Sequence, residues 1–308
     1  MRQKNRASSS SSYFIIVALL TIASVVALLL ASIAKNAESI RMPKYPVRVV
    51  ESPVLHQPPL NTSYGPSASE TALVYKSPTP NSPMVIIVHG GAWVGGENTD
   101  YGIDPLARYL QSTGVTVLAI NYDLATPSFP AFPNQVNEVA LSASVAAERA
   151  GLYNGNPRRI SLIGGSSGGT LVADAAQVLT ARGVRVQSVT DFSGPSNFAS
   201  YAAFAAANPD VLTMLGPALP DALACPNMMI CPRSALMGAS PVSHTIKGPH
   251  WVLVASSRDP LVPLAQSEEE ATALELTNAK VTTIYSSARL HAFELETEDT
   301  DALIRSVV

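Results

Sequence analysis

The chain has 308 residues, a formal net charge of -3, 47% apolar residues and 14% charged residues. That length suits one large domain, or two small ones, with a sizeable core, and the weakly acidic balance argues against nucleic acid as a partner. No internal repeat is visible, and the five histidines and two cysteines lack zinc-ligand spacing, so the reading calls for no metal and no cofactor.

The N-terminus carries Arg2, Lys4 and Arg6 without an acid, and a serine tract, Ser8 to Ser12, follows. Residues 13–34, YFIIVALLTIASVVALLLASIA, hold no charge at all. A helix of that length would cross a bilayer, which needs ~20 apolar residues. The basic residues before it keep segment 1–12 in the cytoplasm and send the rest outside. The expectation is an uncleaved signal anchor. A signal peptide cut after Ser32-Ile33-Ala34 competes, although the apolar run exceeds the usual ~7–15 residues of an h-region. On either reading the folded part is extracytoplasmic. Residues 35–60 are Pro-rich and aperiodic, and read as a stalk before a domain over 61–308.

Within that domain strands and helices alternate. PMVIIVHG (83–90) and GVTVLAINY (114–122) are continuous apolar runs, as buried parallel strands would be. A helix over 133–151 stops at Gly151. The strand RRISLIG (158–164) leads to a helix ending at Gly183, and VQSVTDFS (186–193) and HWVLVASS (250–257) follow as strands. The helix over 264–279 leads to the strand KVTTIYSS (280–287). The pattern predicts an α/β fold, a mostly parallel sheet with helices on both faces. Residues 196–237 break the rhythm and read as a small cap insertion. They contain Cys225 and Cys231, which an extracytoplasmic chain would pair as a local disulfide; two free buried thiols are the alternative.

Four clusters fall where strands end, the place where open α/β sheets meet ligands. GGSSGG (164–169) satisfies G-x-S-x-G twice, for Ser166 and for Ser167. A nucleophile there sits on a tight strand-to-helix turn, needs tiny neighbours two residues away, and precedes an N–H that faces the oxyanion. With Ser166 as nucleophile, Ser167 opens the helix; with Ser167, glycine would open it, a poorer helix former. The reading therefore takes Ser166. HGGAW (89–93) leaves backbone N–H groups unshielded for an oxyanion. Asp259 follows the strand 250–257, and His291 lies in the loop after the last strand. The order Ser, Asp, His suits an α/β-hydrolase.

These pieces, with NYDLATPSFPAFP, SPVSH, DPLVP and HAF, resemble the α/β-hydrolase esterases related to hormone-sensitive lipase and to feruloyl/acetyl-esterase-like carboxylesterases, from about Tyr64 to the end. The resemblance implies an α/β-hydrolase fold and a serine carboxylesterase whose triad is Ser166, Asp259 and His291. Gly91, Ala92 and the N–H of Ser167 would form the oxyanion hole. It implies a small-molecule or lipid ester as substrate. The chain departs from the family pattern at Ala92 (commonly glycine), Asp123 (often Arg), Ser167 (usually Ala) and in a short last helix. Two other readings are an acetyl or feruloyl esterase of polysaccharides and a non-catalytic binding protein on the same scaffold.

Overall fold

The sequence Ser-Pro-Met-Val-Ile-Ile-Val offers no polar face, and it forms β3 (Ser82–Val88), a strand in which every residue is buried. Its side chains alternate between two cores. Met84, Ile86 and Val88 join one apolar cluster, while Val85 and Ile87 join the other, as the two-residue period of a strand requires. A strand clad on both faces belongs at the centre of a parallel sheet.

The computed structural model describes residues 58–308 apart from 227–229. The basic segment 1–12, the apolar span 13–34 and nearly all of the stalk 35–60 lie outside the described residues. Among the described residues no helix is long and apolar enough to cross a membrane. The remaining strands are β1 (Leu60–Ser63), β2 (Thr71–Tyr75), β4 (Thr116–Ile120), β5 (Gly155–Gly165), β6 (Val186–Phe192), β7 (His250–Ser256) and β8 (Lys280–Ser286). They form one eight-stranded sheet in the order β1-β2-β4-β3-β5-β6-β7-β8. β1 and β2 run antiparallel, as do β2 and β4; the pairs from β4 through β8 are parallel.

Leu106, Ala107 and Leu110 of α1 (Ile103–Ser112) pack with Ile304 of α9 (Glu298–Val307) on one face. α2 (Ala131–Glu148), α3 (Ser167–Ala181) and α8 (Ala265–Leu276) contribute to the other. The chain leaves β3 through α1 for β4 on one side and returns through α2 to β5 on the other. Between β3 and β5 the direction of winding reverses, which opens a crevice at their carboxyl ends.

The six strands β3 to β8 fall where the sequence predicts strands. β1, β2 and α1 have no counterpart among the sequence expectations. β2 alternates intermediate and buried residues over only five positions, too short for its period to stand out. α1 was legible and passed over: Ile103, Leu106, Ala107 and Leu110 recur at the spacing of an amphipathic helix, behind Gly102 at φ 84.

Among the described residues of 196–237 lie four short α-helices: α4 (Phe198–Ala207), α5 (Pro209–Leu215), α6 (Ala218–Leu223) and α7 (Arg233–Gly238), the last ending one residue beyond that range. Cys225 and Cys231 are joined as a disulfide, with Cα atoms 5.2 Å apart. Asp123 acts as a clasp rather than facing a ligand. Its carboxylate accepts from Ser67 Oγ at 2.6 Å, and its N–H donates to Glu138 at 2.8 Å.

Candidate active site

β5 delivers Ser166 at φ 55, ψ -126, a conformation that costs a non-glycine residue free energy and persists only where its surroundings impose it. The surroundings are glycines. A Cβ at Gly164 would run into the carbonyl of Gly168, and one at Gly168 would run into the carbonyl of Val88. Strand and helix therefore cross at van der Waals contact, and Ser166 is held at the tip, its N–H donating to the Phe192 carbonyl at 2.8 Å. Gly164→Ala is expected to destabilise the protein by roughly 3 kcal/mol, because the obstacle is rigid backbone; urea unfolding at fixed pH measures it.

The two serines occupy different environments. Ser166 is partly exposed, whereas Ser167 is fully buried and its hydroxyl finds no hydrogen-bond partner. The side chain of Ser167 cannot reach a solvent-borne ligand. Its backbone N–H opens α3, where helix geometry leaves the first amides unpaired and the dipole is positive.

Next to the turn, His89 follows the last residue of β3, Val88. Gly91, Ala92 and Trp93 all take positive φ, at 115, 52 and 67 degrees. The carbonyl of Gly91 accepts from Val94 and Gly95, at 3.2 and 3.0 Å, which curls residues 91–95 into a tight turn. The His89 ring stacks on Tyr122 with centroids 4.2 Å apart, and the Tyr122 hydroxyl donates to the His89 carbonyl at 3.0 Å. This pair props the turn from beneath. Burial lowers the pKa of His89, which keeps the ring neutral.

Asp259 and His291 meet although 32 residues separate them. His291 Nδ1 lies 2.8 Å from Asp259 Oδ2, and the Asp259 side chain is 1% exposed against 14% for His291. The other carboxylate oxygen accepts from the N–H groups of Leu261 and Val262, at 2.8 and 3.0 Å. A carboxylate held by three donors has one orientation. The N–H of His291 donates to Glu294 at 2.9 Å, and Ser256 Oγ donates to the Ala288 carbonyl, which fixes the loop carrying the imidazole. The turn at Ser166 touches the same loop: a Cβ at Gly165 would meet the ring of Phe293, two residues past His291. Among the described residues no hydrogen bond joins His291 to Ser166. Such a contact is commonly long before substrate arrives.

Behind the turn lies a pair of acids that the sequence reading missed. Asp191, at the end of β6, and Glu270, on α8, are both buried. Asp191 accepts from the Gly194 N–H at 2.7 Å. Burial pushes its pKa up to about 7, and burial beside Asp191 raises Glu270 well above the carboxylate range. The available signal was the single charged residue inside the strand VQSVTDF. Because the folded protein holds these protons more tightly than the unfolded chain, this contribution to stability is full below the unfolded values near pH ~4 and lost as pH rises toward ~7. Asp191→Asn is expected to flatten the fall in unfolding free energy between about pH 4 and pH 7, read from urea titrations across that range. Glu270, with Asp174, pushed up to about 6, and Glu138, pushed up to about 7, all by burial, supplies the residual slope.

The family model described as BD-FAE matches residues 73–274. Carboxylesterase NlhH of Mycobacterium tuberculosis is 34% identical over 100 residues, covering 32% of this chain and 30% of that protein. Hormone-sensitive lipase of Bos taurus is 32% identical over 125 residues, covering 40% of this chain and 16% of that protein. The chain thus spans under a third of the length of these curated relatives. The solved structure of EstE1, a thermophilic carboxylesterase from a metagenomic library, superposes with a TM-score of 0.64 at 20% identity, covering 81% of this chain and 90% of that one. With the strand order, the reversal between β3 and β5 and a family match over more than half its length, this chain belongs to the BD-FAE family and has the α/β-hydrolase fold.

Proposed function

We propose that the protein is a serine carboxylesterase that hydrolyses acyl esters through Ser166, His291 and Asp259. The observation that carries this reading is the 2.8 Å hydrogen bond between His291 Nδ1 and a buried, fully ligated Asp259, at the rim where the strained Ser166 turn ends β5. The names of the relatives NlhH and EstE1, both carboxylesterases, support it.

In the proposed reaction the Asp259 carboxylate keeps the proton of His291 on Nδ1, leaving Nε2 to accept the Ser166 proton as Oγ attacks the ester carbonyl. The oxyanion that forms is met by the N–H groups of Gly91, Ala92 and Ser167. Losing one such donor typically costs ~10²–10³ in turnover. His291 then protonates the leaving alkoxide. Water, activated by the same imidazole, releases the acid and restores Ser166. The charge-free run 13–34 behind Arg2, Lys4 and Arg6 supports an anchored, extracytoplasmic enzyme.

A series of p-nitrophenyl esters tests the reading. Turnover that peaks at a short or medium acyl chain is expected. Hydrolysis of acetylated xylan or feruloyl arabinose in preference to every simple ester would move the substrate to polysaccharide. No turnover of any ester, with no labelling by a fluorophosphonate, would leave a binding protein.

A further inference from the structure

The charges of the domain are sorted between the two ends of its sheet. Ser166, Asp259 and His291 all follow the carboxyl ends of strands. At the other end, Arg158 and Arg159 lie near the start of β5, Arg185 and Lys247 just before β6 and β7, and Lys280 opens β8. Arg182 closes α3 beside them. Ile160 is paired with Val186, and His250 with Lys280, so these residues line one edge of four adjacent strands. At ~4.8 Å per strand that edge is about 14 Å across. Arg159 is partly buried and the other five are exposed.

Composition does not account for this edge, because the chain as a whole is weakly acidic, at -3. Among the described residues no Asp or Glu forms an ion pair with any of the six. The acids described at this edge are Glu148 and Glu275, in the last turns of α2 and α8, whereas Glu97 and Asp100 follow β3 and Glu294 follows β8 at the opposite edge. A helix C-terminus favours a cation beside it, which explains Arg182 but not the five that stand on or just before strands. The chain also enters the domain at the basic end. β1 is antiparallel to β2, and β2 to β4, so β1 runs in the direction of β4 and its first residue, Leu60, lies at the amino edge. Residues 35–57 connect that end to the charge-free run 13–34; a segment of that length spans at most ~80 Å.

We propose that this basic edge docks on a bilayer surface of anionic phospholipid headgroups, the same bilayer that takes the run 13–34. Opposite charge and the tether select that partner together. Each Lys or Arg brought to an anionic lipid surface strengthens binding about fivefold. A tether this short holds the edge at an effective concentration on the order of 1 mM, so a weak attraction is enough to dock it. Ser166 follows Arg159 by seven residues, roughly 23 Å of strand, well beyond the ~8 Å over which salt lets the headgroup charge act. Docking by the basic edge therefore turns the reaction edge to the water, and esters reach it from solution rather than from the bilayer that holds the chain. This last step rests on the proposed triad; the docking does not.

Energy transfer to headgroup-labelled lipid tests the docking in the full chain reconstituted into vesicles. One fluorophore is placed through Leu276→Cys, at the end of α8 on the basic edge, and in a separate sample another through Tyr101→Cys, in the loop after β3 at the reaction edge; the two positions are 81% and 67% exposed. Replacing about a third of the phosphatidylcholine by phosphatidylglycerol is expected to raise transfer from position 276 at least threefold and not to raise it from position 101. Salt at about 0.5 M is expected to reverse the gain. The triple variant Arg158→Glu, Arg185→Glu, Lys280→Glu is expected to abolish it while thermal unfolding stays cooperative. Equal transfer from position 276 in both vesicles, a larger gain at position 101, or a gain that the triple variant keeps overturns the proposal. So does a chain that fails to float with either vesicle. Binding of polyphosphate without any response to phosphatidylglycerol overturns it too, by making the partner a soluble anionic polymer. None of these readouts uses hydrolysis, so they stand or fall apart from the role of Ser166.

Discussion

Ser166→Ala is expected to reduce ester turnover by about 10⁴–10⁶-fold and to eliminate labelling by a fluorophosphonate, while Ser167→Ala leaves labelling in place. The two positions share the same glycine-rich frame in sequence, so the contrast isolates geometry. Ser166 has φ 55 and is partly exposed; Ser167 is fully buried at the first position of α3 with its hydroxyl unpartnered. Removing that orphan hydroxyl takes away a buried polar group that makes no bond, so Ser167→Ala is expected to be neutral or slightly stabilising. Its backbone N–H, the part assigned to the oxyanion, is unchanged by the substitution. Labelling of Ser167 in the Ser166→Ala variant would reverse the assignment, and mass spectrometry of the labelled peptide decides it.

Asp259→Asn is expected to lower turnover by about 10³–10⁴-fold with little change in KM. An asparagine is nearly the same shape and can still accept from Leu261 and Val262 through its oxygen. Its amide would then present N–H groups to His291 Nδ1. The imidazole would be driven to carry its proton on Nε2, the nitrogen that must receive the proton of Ser166. The loss should ease at higher pH, where hydroxide takes over part of the general-base role. A merely structural part for Asp259 predicts instead a lowered unfolding midpoint and a normal pH-rate profile in whatever folded enzyme remains. Measuring kcat and KM across pH, alongside urea unfolding, separates the two.

The pair Asp191 and Glu270 bears on both experiments. It lies beside the first turn of α3, since a Cβ at Gly169 would collide with the Asp191 carboxyl, and it titrates in a range that overlaps histidine. A pH-rate profile of the wild-type enzyme alone would mix the two. The Asp191→Asn variant abolishes one of the pair's two ionisations while leaving Asp259 and His291 in place, so a limb of the profile that moves in this variant belongs to the pair.

The alternation of apolar runs and amphipathic segments was enough to place β3 through β8; at the centre of the sheet the cause is visible locally, since β3, buried on both faces, is apolar throughout Met84 to Val88, whereas β8, at the edge and half-exposed, shows itself by β-branched residues and by the helix before it. The same holds for the small residues of the turn at 164–169 and for the acid and base that follow β7 and β8. Other features are absent from any local window. The edge strand β1 and its neighbour β2 are short and only partly buried, so their pattern carries little information; pairing creates them, β2 on β4 and β1 on β2. That Asp191 would lie against Glu270, and Asp174 against His244, depends on which helix covers which strand. Sequence spacing does not encode that when the partners stand 79 or 70 positions apart. Local chemistry thus determined the menu of elements and the residues at their ends, whereas the order in which the strands pair decided which of those ends share a site, since hydrogen bonds and charges act over a few ångströms of space and are indifferent to distance along the chain.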